Sequence, residues 1–314
     1  MDFDNTLILT PVFDDWASFE HLIKDIDRKL ANSHNISILA INDGSIKKFR
    51  LKSKCININS IDIINLIANV GHQRAISIGL SSINKEQYSS VVVMDCDGED
   101  KVEDINKLIK LNKETGNAIV AKRKKRSESS FFKIFYFFYK FLFRILTGRK
   151  INFGNFSILP SESIEKICSS PELWNNFPAT LLKLKLAINF VDVSRGNRYS
   201  GSSKMNLISL VKHGLSAISI FMNEVLIRLL LIFSILMVSL LIVVITILSD
   251  DLTTISDYLF HTILTSSIML FIFNSYLLTK LLISLNKRSN IIDPIKISYS
   301  KFILNIDSIY KKTN

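Results

Sequence analysis

"VVVMDCDGED", Val91 to Asp100, runs an apolar stretch straight into carboxylates at Asp95, Asp97, Glu99 and Asp100. The apolar part reads as a buried strand, and its acidic end poses a physical problem. Like charges crowded at a strand end repel one another, so the cluster costs stability unless a cation sits beside it. Asp95 and Asp97 are two positions apart and point the same way on a regular strand. Gly98 permits a sharp turn that brings Glu99 back towards the same point. Oxygen-only ligands favour a hard cation, Mg2+ or Mn2+, which keeps waters and bridges to phosphates instead of being caged by protein alone. The expected load is therefore a diphosphate. Acids at a helix start suit the helix dipole, which accounts for Glu103 and Asp104 but not for Asp95.

Around this stretch, short apolar runs alternate with amphipathic ones. "TLILTPVF" reads as a strand, and "WASFEHLIKDIDRKLA" as a helix with Trp16, Phe19, Leu22, Ile23, Ile26 and Leu30 on one face. "ISILAIND" and "NAIVAK" read as strands, "HQRAISIGLSSI" and "VEDINKLIKLNKE" as helices. The alternation predicts an α/β fold with a mostly parallel sheet covered on both faces. Ligands bind such sheets at the carboxyl ends of the strands, where the acidic cluster lies.

The second half changes character. Leu229 to Ser249 contains no ionisable residue, and its length matches the roughly 20 residues that cross a bilayer core. A second span is expected at Thr262 to Thr279, where a neighbouring helix can satisfy the serines, threonines and Asn274. The connecting loop carries Asp250, Asp251 and Asp257, whereas Arg228, Lys280, Lys287 and Arg288 flank the outer ends. The positive-inside rule then puts both termini and the large N-terminal part on the cytoplasmic side of a plasma or inner membrane. The acidic start "MDFDNTLILTPVFDDW" lacks the basic region of a signal peptide. Cys55, Cys96 and Cys168 show no metal-ligand spacing and fit a reducing compartment. The net charge of +11 comes with no nucleic-acid-binding motif, so anionic headgroups are the expected partner and nucleic acid is not. "FFKIFYFFYKFLFRILTGRK", Phe131 to Lys150, mixes aromatics with lysine and arginine in the manner of a helix lying in the headgroup plane. The expected organisation is a catalytic domain over 1–204, including an interfacial helix over 131–147. A juxtamembrane amphipathic helix over 205–225, a transmembrane hairpin over 226–285 and a cytoplasmic tail over 286–314 follow.

The segments "LTPVFDDW", "LAINDGSI", "NVGHQRAISIGL", "VVVMDCDGEDKVEDI", "FGNFSIL" and "RGNRYSGSSKMNL" occur in an order and spacing that resembles the inverting family 2 glycosyltransferases. The similarity is to the polyprenyl-phosphate sugar synthases of the dolichyl-phosphate mannose synthase type, and it runs from about Thr6 to Leu285. It implies a GT-A (Rossmann-like) fold, a UDP- or GDP-sugar donor, Mg2+ or Mn2+, and C-terminal membrane helices. By this resemblance Pro11, Phe13, Asp15 and Asp43 contact the nucleoside, Asp95 orients the donor, and Asp97 binds the metal with Glu99 as an added ligand. Arg195, Arg198, Ser203 and Lys204 match the segment that closes over the donor phosphates, where arginine forks and a lysine suit a leaving diphosphate that gains charge. Arg123 matches an arginine that contacts the lipid phosphate, and the spacing adds Arg126.

The chain departs from the pattern at Asn42, Asp14 and His72, which replace an aspartate, an asparagine and a lysine and leave base and sugar open. Asn155 stands where many relatives carry an aspartate considered as a catalytic base. An amide cannot take up a proton, whereas a phosphate monoester is already an anionic nucleophile at neutral pH. Asn155 therefore favours a lipid-phosphate acceptor, which needs positioning more than a base; Glu128 and Glu172 stay open as bases. The expected activity is transfer of a sugar to an undecaprenyl-type phosphate by inverting displacement. The alternatives are a glycosyltransferase acting on a diacylglycerol or ceramide hydroxyl, and a silent membrane scaffold, against which the intact carboxylates argue. The sequence leaves a homo-oligomer open.

Overall fold

The computed structural model describes residues 5–123, 130–201, 207–249, 255–289 and 299–312. The chain forms two compact units, the first built from Met1–Lys140, Lys150–Ile220 and Pro294–Asn314, the second from Phe141–Arg149 and Phe221–Asp293.

The first unit holds β1 (Asn5–Val12), α1 (Trp16–Lys29), β2 (Asn35–Asn42), β3 (Ser60–Leu66), α2 (His72–Ser81), β4 (Ser90–Val93), α3 (Val102–Thr115) and β5 (Ala118–Arg123). After α4 (Ser130–Thr147) come β6 (Ser157–Pro160), α5 (Ser161–Cys168), α6 (Phe177–Lys183), β7 (Ile188–Val193) and α7 (Leu207–Ser219). Beyond the second unit's α8 (Met222–Ser249) and α9 (Ile255–Ser289), the chain ends in β8 (Ile303–Lys311). The strands make one sheet in the order β7-β5-β6-β4-β1-β2-β3-β8. β1 is parallel to β2 and β4, β2 to β3, and β5 to β7. β6 is antiparallel to both its neighbours, β4 and β5, and β8 is antiparallel to β3. It follows that β1 to β5 and β7 all point the same way, and their carboxyl ends share one edge.

Alternation along β1 supplies both faces of the core. Ile8 and Val12 join the cluster under α1 and α3, while Leu7 and Leu9 join the cluster under α2, α5 and α6. On α1 the stripe expected from its spacing is buried: Phe19, Leu22, Ile23 and Ile26 have no exposed surface, each contributing about 1.5–3 kcal/mol. On the other face α2 lies so close to the sheet that a Cβ on Gly79 would sit 2.7 Å from Leu9 Cδ1 and 2.9 Å from Ile41 Cδ1. Any larger residue there must displace the Leu9 and Ile41 side chains or push helix from sheet.

β8 is the element that the reading of 286–314 as a tail did not anticipate. It extends the sheet beyond β3, with register shifts at Ile61/Asp62 and Asn65/Leu66. Asn65 Nδ2 donates to Asp307 Oδ2 at 2.8 Å and the Tyr310 hydroxyl donates to the Cys55 carbonyl at 3.1 Å. Such bonds fix register where a strand lacks a clean apolar face; Leu304 and Ile306 point away from the core.

In the second unit, α8 and α9 each contain a stretch long and apolar enough to cross a membrane, Met222–Val243 and His261–Lys280, with only 11% and 6% of their residues buried. Asn274 Nδ2 donates to Ser234 Oγ at 2.9 Å, and the Phe233 and Phe273 rings meet edge to face at 4.9 Å. The neighbouring helix thus takes up the Asn274 amide N–H but leaves its Oδ1 buried without a hydrogen-bond partner, whereas Thr265, Ser266, Ser267 and Thr279 bond carbonyls of their own helix. The segment read as one helix over 205–225 is split: α7 ends at Ser219 and α8 begins at Met222. On α4, Phe137, Phe138, Phe141, Leu142 and Ile145 are all exposed, at spacings that put them on one face.

Candidate functional site

The parallel strands deliver the site to one edge. β1 leads into Phe13, Asp14 and Asp15, β2 into Asp43, β4 into Asp95 and β7 into Arg195, while β5 ends in Arg123. Because β6 runs the other way, its entrance brings Asn155 to the same edge. A chemistry scattered over nearly two hundred residues of sequence is gathered by strand direction alone.

On one side, Pro11, Val12, Phe13, Asp43, Asn69 and His72 line a cleft of about 230 Å³. Asp43 accepts from the backbone N–H groups of Val70 and Gly71 at 2.7 and 3.0 Å, which folds the loop before α2 around its carboxylate. Burial pushes the Asp43 carboxyl up, partly opposed by those two bonds. Asp14 adopts a positive φ of 49° and accepts from Ile46 N at 3.0 Å, while its own N–H donates to Ser45 Oγ. Ser45 N in turn donates to Asn42 Oδ1, and Asn42 Nδ2 to Asn65 Oδ1. The departures at Asp14 and Asn42 therefore belong to one network shaping the cleft rim. Asp15 caps α1, accepting from Ser18 N at 3.4 Å.

At the centre, the turn after β4 is covered by the segment after β7. Gly196 N donates to the Glu99 carbonyl and Tyr199 N to the Asp97 carbonyl, each at 2.8 Å. This close approach requires glycine twice: a Cβ on Gly196 would collide with the Gly98 carbonyl oxygen, and one on Gly98 would lie 2.9 Å from the Asn197 carbonyl oxygen. Gly98 also has φ +88°, a region unfavourable to other residues. The side chains reinforce the backbone. Arg198 Nη1 lies 2.8 Å from Asp97 Oδ2, and Arg195 Nη2 lies 2.6 Å from Glu99 Oε1. Arg123 reaches Asp100 at 3.1 Å and Glu99 at 3.6 Å, so the arginine matched to the lipid phosphate faces the acidic turn. Asp100, without a role in the sequence reading, is buried and accepts from Asp95 N at 3.2 Å. Its burial and the nearby Asp95 charge push its carboxyl up to about 7.

Asp95 is held differently. His72 Nε2 lies 3.1 Å from Asp95 Oδ1, but that oxygen is buried and lacks a partner in hydrogen-bond geometry. Asn155 Nδ2 lies 2.9 Å from His72 Nε2, and Asn155 Oδ1 accepts from Gln73 Nε2 at 3.0 Å. Gln73 is itself anchored by accepting from Phe177 N at 2.7 Å. Burial opposes ionisation of Asp95, yet the charges of His72 and Arg123 outweigh it and hold the carboxyl below its ordinary value. Partial desolvation opposes a charge on the exposed His72, but Asp95, Asp43 and Asp97 together raise the imidazole pKa above its ordinary value. Asp97 is pushed up, first by burial and then by the Asp95 charge, although Glu99 N and Arg198 oppose this. A carboxylate so placed gains from a cation. Among the described residues, no three His, Cys, Asp or Glu side chains form a ready cage. The donor set, Asp97 with the Asp95 carboxylate beside it, suits a hard cation completed by phosphates and water.

Most of the residues expected from sequence thus meet at one edge, while Arg126, Ser203 and Lys204 lie outside the described residues. Glu172 is paired with Lys183 at 2.6 Å. The sequence reading missed Gln73, Asn69 and Tyr199. Tyr199 stacks on His21 at 5.6 Å and donates to Asp25 Oδ2 at 2.9 Å, and only its place within "RGNRY" hinted at it.

The class defined by this fold and site is confirmed by comparison. The family model Glycosyl transferase family 2 matches residues 7–167, just over half of the chain. The chain belongs to glycosyltransferase family 2. It is 28% identical over 221 residues to the uncharacterized glycosyltransferase sll0501 of Synechocystis sp., covering 68% of each chain. It is 25% identical over 237 residues to the uncharacterized glycosyltransferase YkcC of Bacillus subtilis, covering 69% of this chain and 68% of that one. Among solved structures, glucosyl-3-phosphoglycerate synthase from Mycobacterium tuberculosis with Mn2+, UDP-glucose and phosphoglyceric acid superposes with a TM-score of 0.50 at 12% identity. That match covers 70% of this chain and 79% of that chain. S. aureus TarS 1-349 with UDP-GlcNAc gives 0.44 at 12% identity, over 72% and 66%. The fold is GT-A, and the protein is a glycosyltransferase.

Proposed function

We propose that the protein transfers a sugar from a UDP- or GDP-sugar to a polyprenyl phosphate at a membrane surface, by a single inverting displacement. The observation that carries this reading is the Asp95–Asp97 turn under the Arg195–Tyr199 segment, beside a cleft of nucleoside size. The base would enter the cleft between Phe13 and Asp43. The buried Asp95 oxygen that faces His72 would accept a hydroxyl of the donor, which adds a well-aligned hydrogen bond to that ion pair. Asp97 would hold Mg2+ or Mn2+, as the Mn2+-bound structural neighbour supports, and the ion would supply positive charge to the leaving diphosphate. Arg195 and Arg198 stand beside the same turn, and by resemblance Ser203 and Lys204 close over the phosphates.

For the acceptor, Asn155 is an amide held by Gln73 beside His72 and not a proton acceptor. His72, whose protonated form Asp95 favours, offers a cation to a phosphate nucleophile more readily than a base to a hydroxyl. The exposed aromatic face of α4 suits a headgroup layer. The chain passes through α8 and α9 and then contributes β8 to the catalytic sheet, which supports a pair of crossings with both ends on the catalytic side. With the charge flanks, that side is the cytoplasm.

The test is a screen of the membrane-embedded protein with labelled UDP- and GDP-sugars against undecaprenyl phosphate and diacylglycerol. Product on the phosphate lipid is expected, and product on diacylglycerol alone would overturn the acceptor. For topology, Asp251→Cys should react with an impermeant maleimide from outside intact cells and Lys312→Cys should not; the opposite pattern rejects the orientation.

A further inference from the structure

We infer that in this chain Glu99 is not a ligand of the metal but the positioning residue of the diphosphate-binding arginines. The inference rests on the donor site proposed above and changes the role that family resemblance gives this position.

The two carboxylates of the turn are engaged differently. Asp97 spends Oδ1 on its own turn, accepting from Glu99 N at 2.9 Å, and Oδ2 on one cation, Arg198, at 2.8 Å. Glu99 faces arginines with both oxygens: Oε1 lies 2.6 Å from Arg195 and 3.4 Å from Arg198, and Oε2 lies 3.6 Å from Arg123. Its side chain is only 12% exposed. Among the described residues, a divalent cation reaches Asp97 by displacing one guanidinium. To reach Glu99 it must displace three and then sit among their charges, which repel it.

The arrangement also says what happens to Arg198. When a cation takes Asp97, Arg198 loses its 2.8 Å partner but keeps Glu99, so it pivots on Glu99 instead of swinging into solvent. Its Nε is buried with no hydrogen-bond partner and is available to a phosphate oxygen. The charge of residue 99 matters here. A neutral amide could serve as an oxygen ligand, but only a carboxylate compensates the converging guanidinium groups from β5 and from the loop after β7.

The experiment compares wild type, Glu99→Gln, Arg195→Lys and Asp97→Asn as full chains in lipid nanodiscs. Hydrogen exchange over residues 195–199, with EDTA and no donor, reads the clamp directly. Loss of a charge-assisted bond should speed exchange at Gly196 and Tyr199 about tenfold or more in Glu99→Gln and in Arg195→Lys, which keeps the charge but loses the fork. Mn2+ titration followed by electron paramagnetic resonance should give Glu99→Gln an affinity within about twofold of wild type, while Asp97→Asn loses about tenfold or more. In turnover, Glu99→Gln should raise the donor KM about tenfold with kcat changed less than about threefold. Unchanged exchange in both clamp variants, or a loss of Mn2+ affinity in Glu99→Gln matching that of Asp97→Asn, overturns the inference. Exchange and Mn2+ binding need no donor, so they decide the role of Glu99 even if the donor and acceptor screen fails.

Discussion

Asn65 Nδ2 on β3 donates to Asp307 Oδ2 on β8 at 2.8 Å, and Asn65 Oδ1 accepts from Asn42 Nδ2 at the same distance. The relay continues through Asn42 Oδ1 to Ser45 N and from Ser45 Oγ to Asp14 N, so the last strand of the chain is wired to the rim of the nucleoside cleft. Asp307→Ala should destabilise the catalytic unit by about 1 kcal/mol, the net worth of a half-buried hydrogen bond. It should also raise the donor KM more than it lowers kcat. Thermal unfolding beside initial-rate kinetics checks both, and an unchanged KM would confine Asp307 to holding β8.

Asp97→Ala removes the carboxylate best placed for a cation. Turnover should fall at least about hundredfold, given the several kcal/mol that a metal supplies to a leaving diphosphate, while membrane insertion is retained. Rates measured across Mn2+ concentrations, with fractionation of membranes, test this. Surviving metal-dependent turnover would remove Asp97 from the metal site.

The His72–Asp95 contact gives a defined pH window. His72 has a raised folded pKa, so its contribution to stability is complete below the unfolded value of 6.5 and is lost as pH rises through the folded pKa. Asp95 has a lowered folded pKa, so its contribution is complete above 3.8 and is lost as pH falls through the folded value. The pair therefore contributes fully between these limits. An NMR titration should place the His72 midpoint above 6.5 in wild type. Asp95→Asn should lower it, leaving Asp43 and Asp97 against desolvation; a midpoint that Asp95→Asn does not move would mean that the contact carries no charge.

Gly196→Ala places a Cβ against the Gly98 carbonyl oxygen and must lift the segment from the acidic turn. Turnover should fall about tenfold or more through donor binding, with global stability changed by no more than about 1 kcal/mol, because the segment adds little to the core. Donor titration and thermal unfolding separate the two effects.

The sequence by itself determined the parts that local physics can write. Period-two runs such as "TLILTPVF" and the helical stripe of Phe19, Leu22, Ile23 and Ile26 need only the repeat of the backbone. An uncharged run from Leu229 to Ser249 needs only a length, and "DCDGED" at a strand end announces a cation whatever lies elsewhere. β8 was illegible because "ILNIDSIYK" carries apolar residues on both faces and is fixed by bonds to β3 such as Asn65–Asp307. The break between α7 and α8 fell inside a continuous apolar pattern and left no mark in composition. The partners of each carboxylate were equally beyond reach. Arg123, Arg195 and Arg198 come from the ends of strands that only the sheet order brings together, so tertiary structure alone decided that, among the described residues, Glu99 faces three guanidinium groups and Asp97 one.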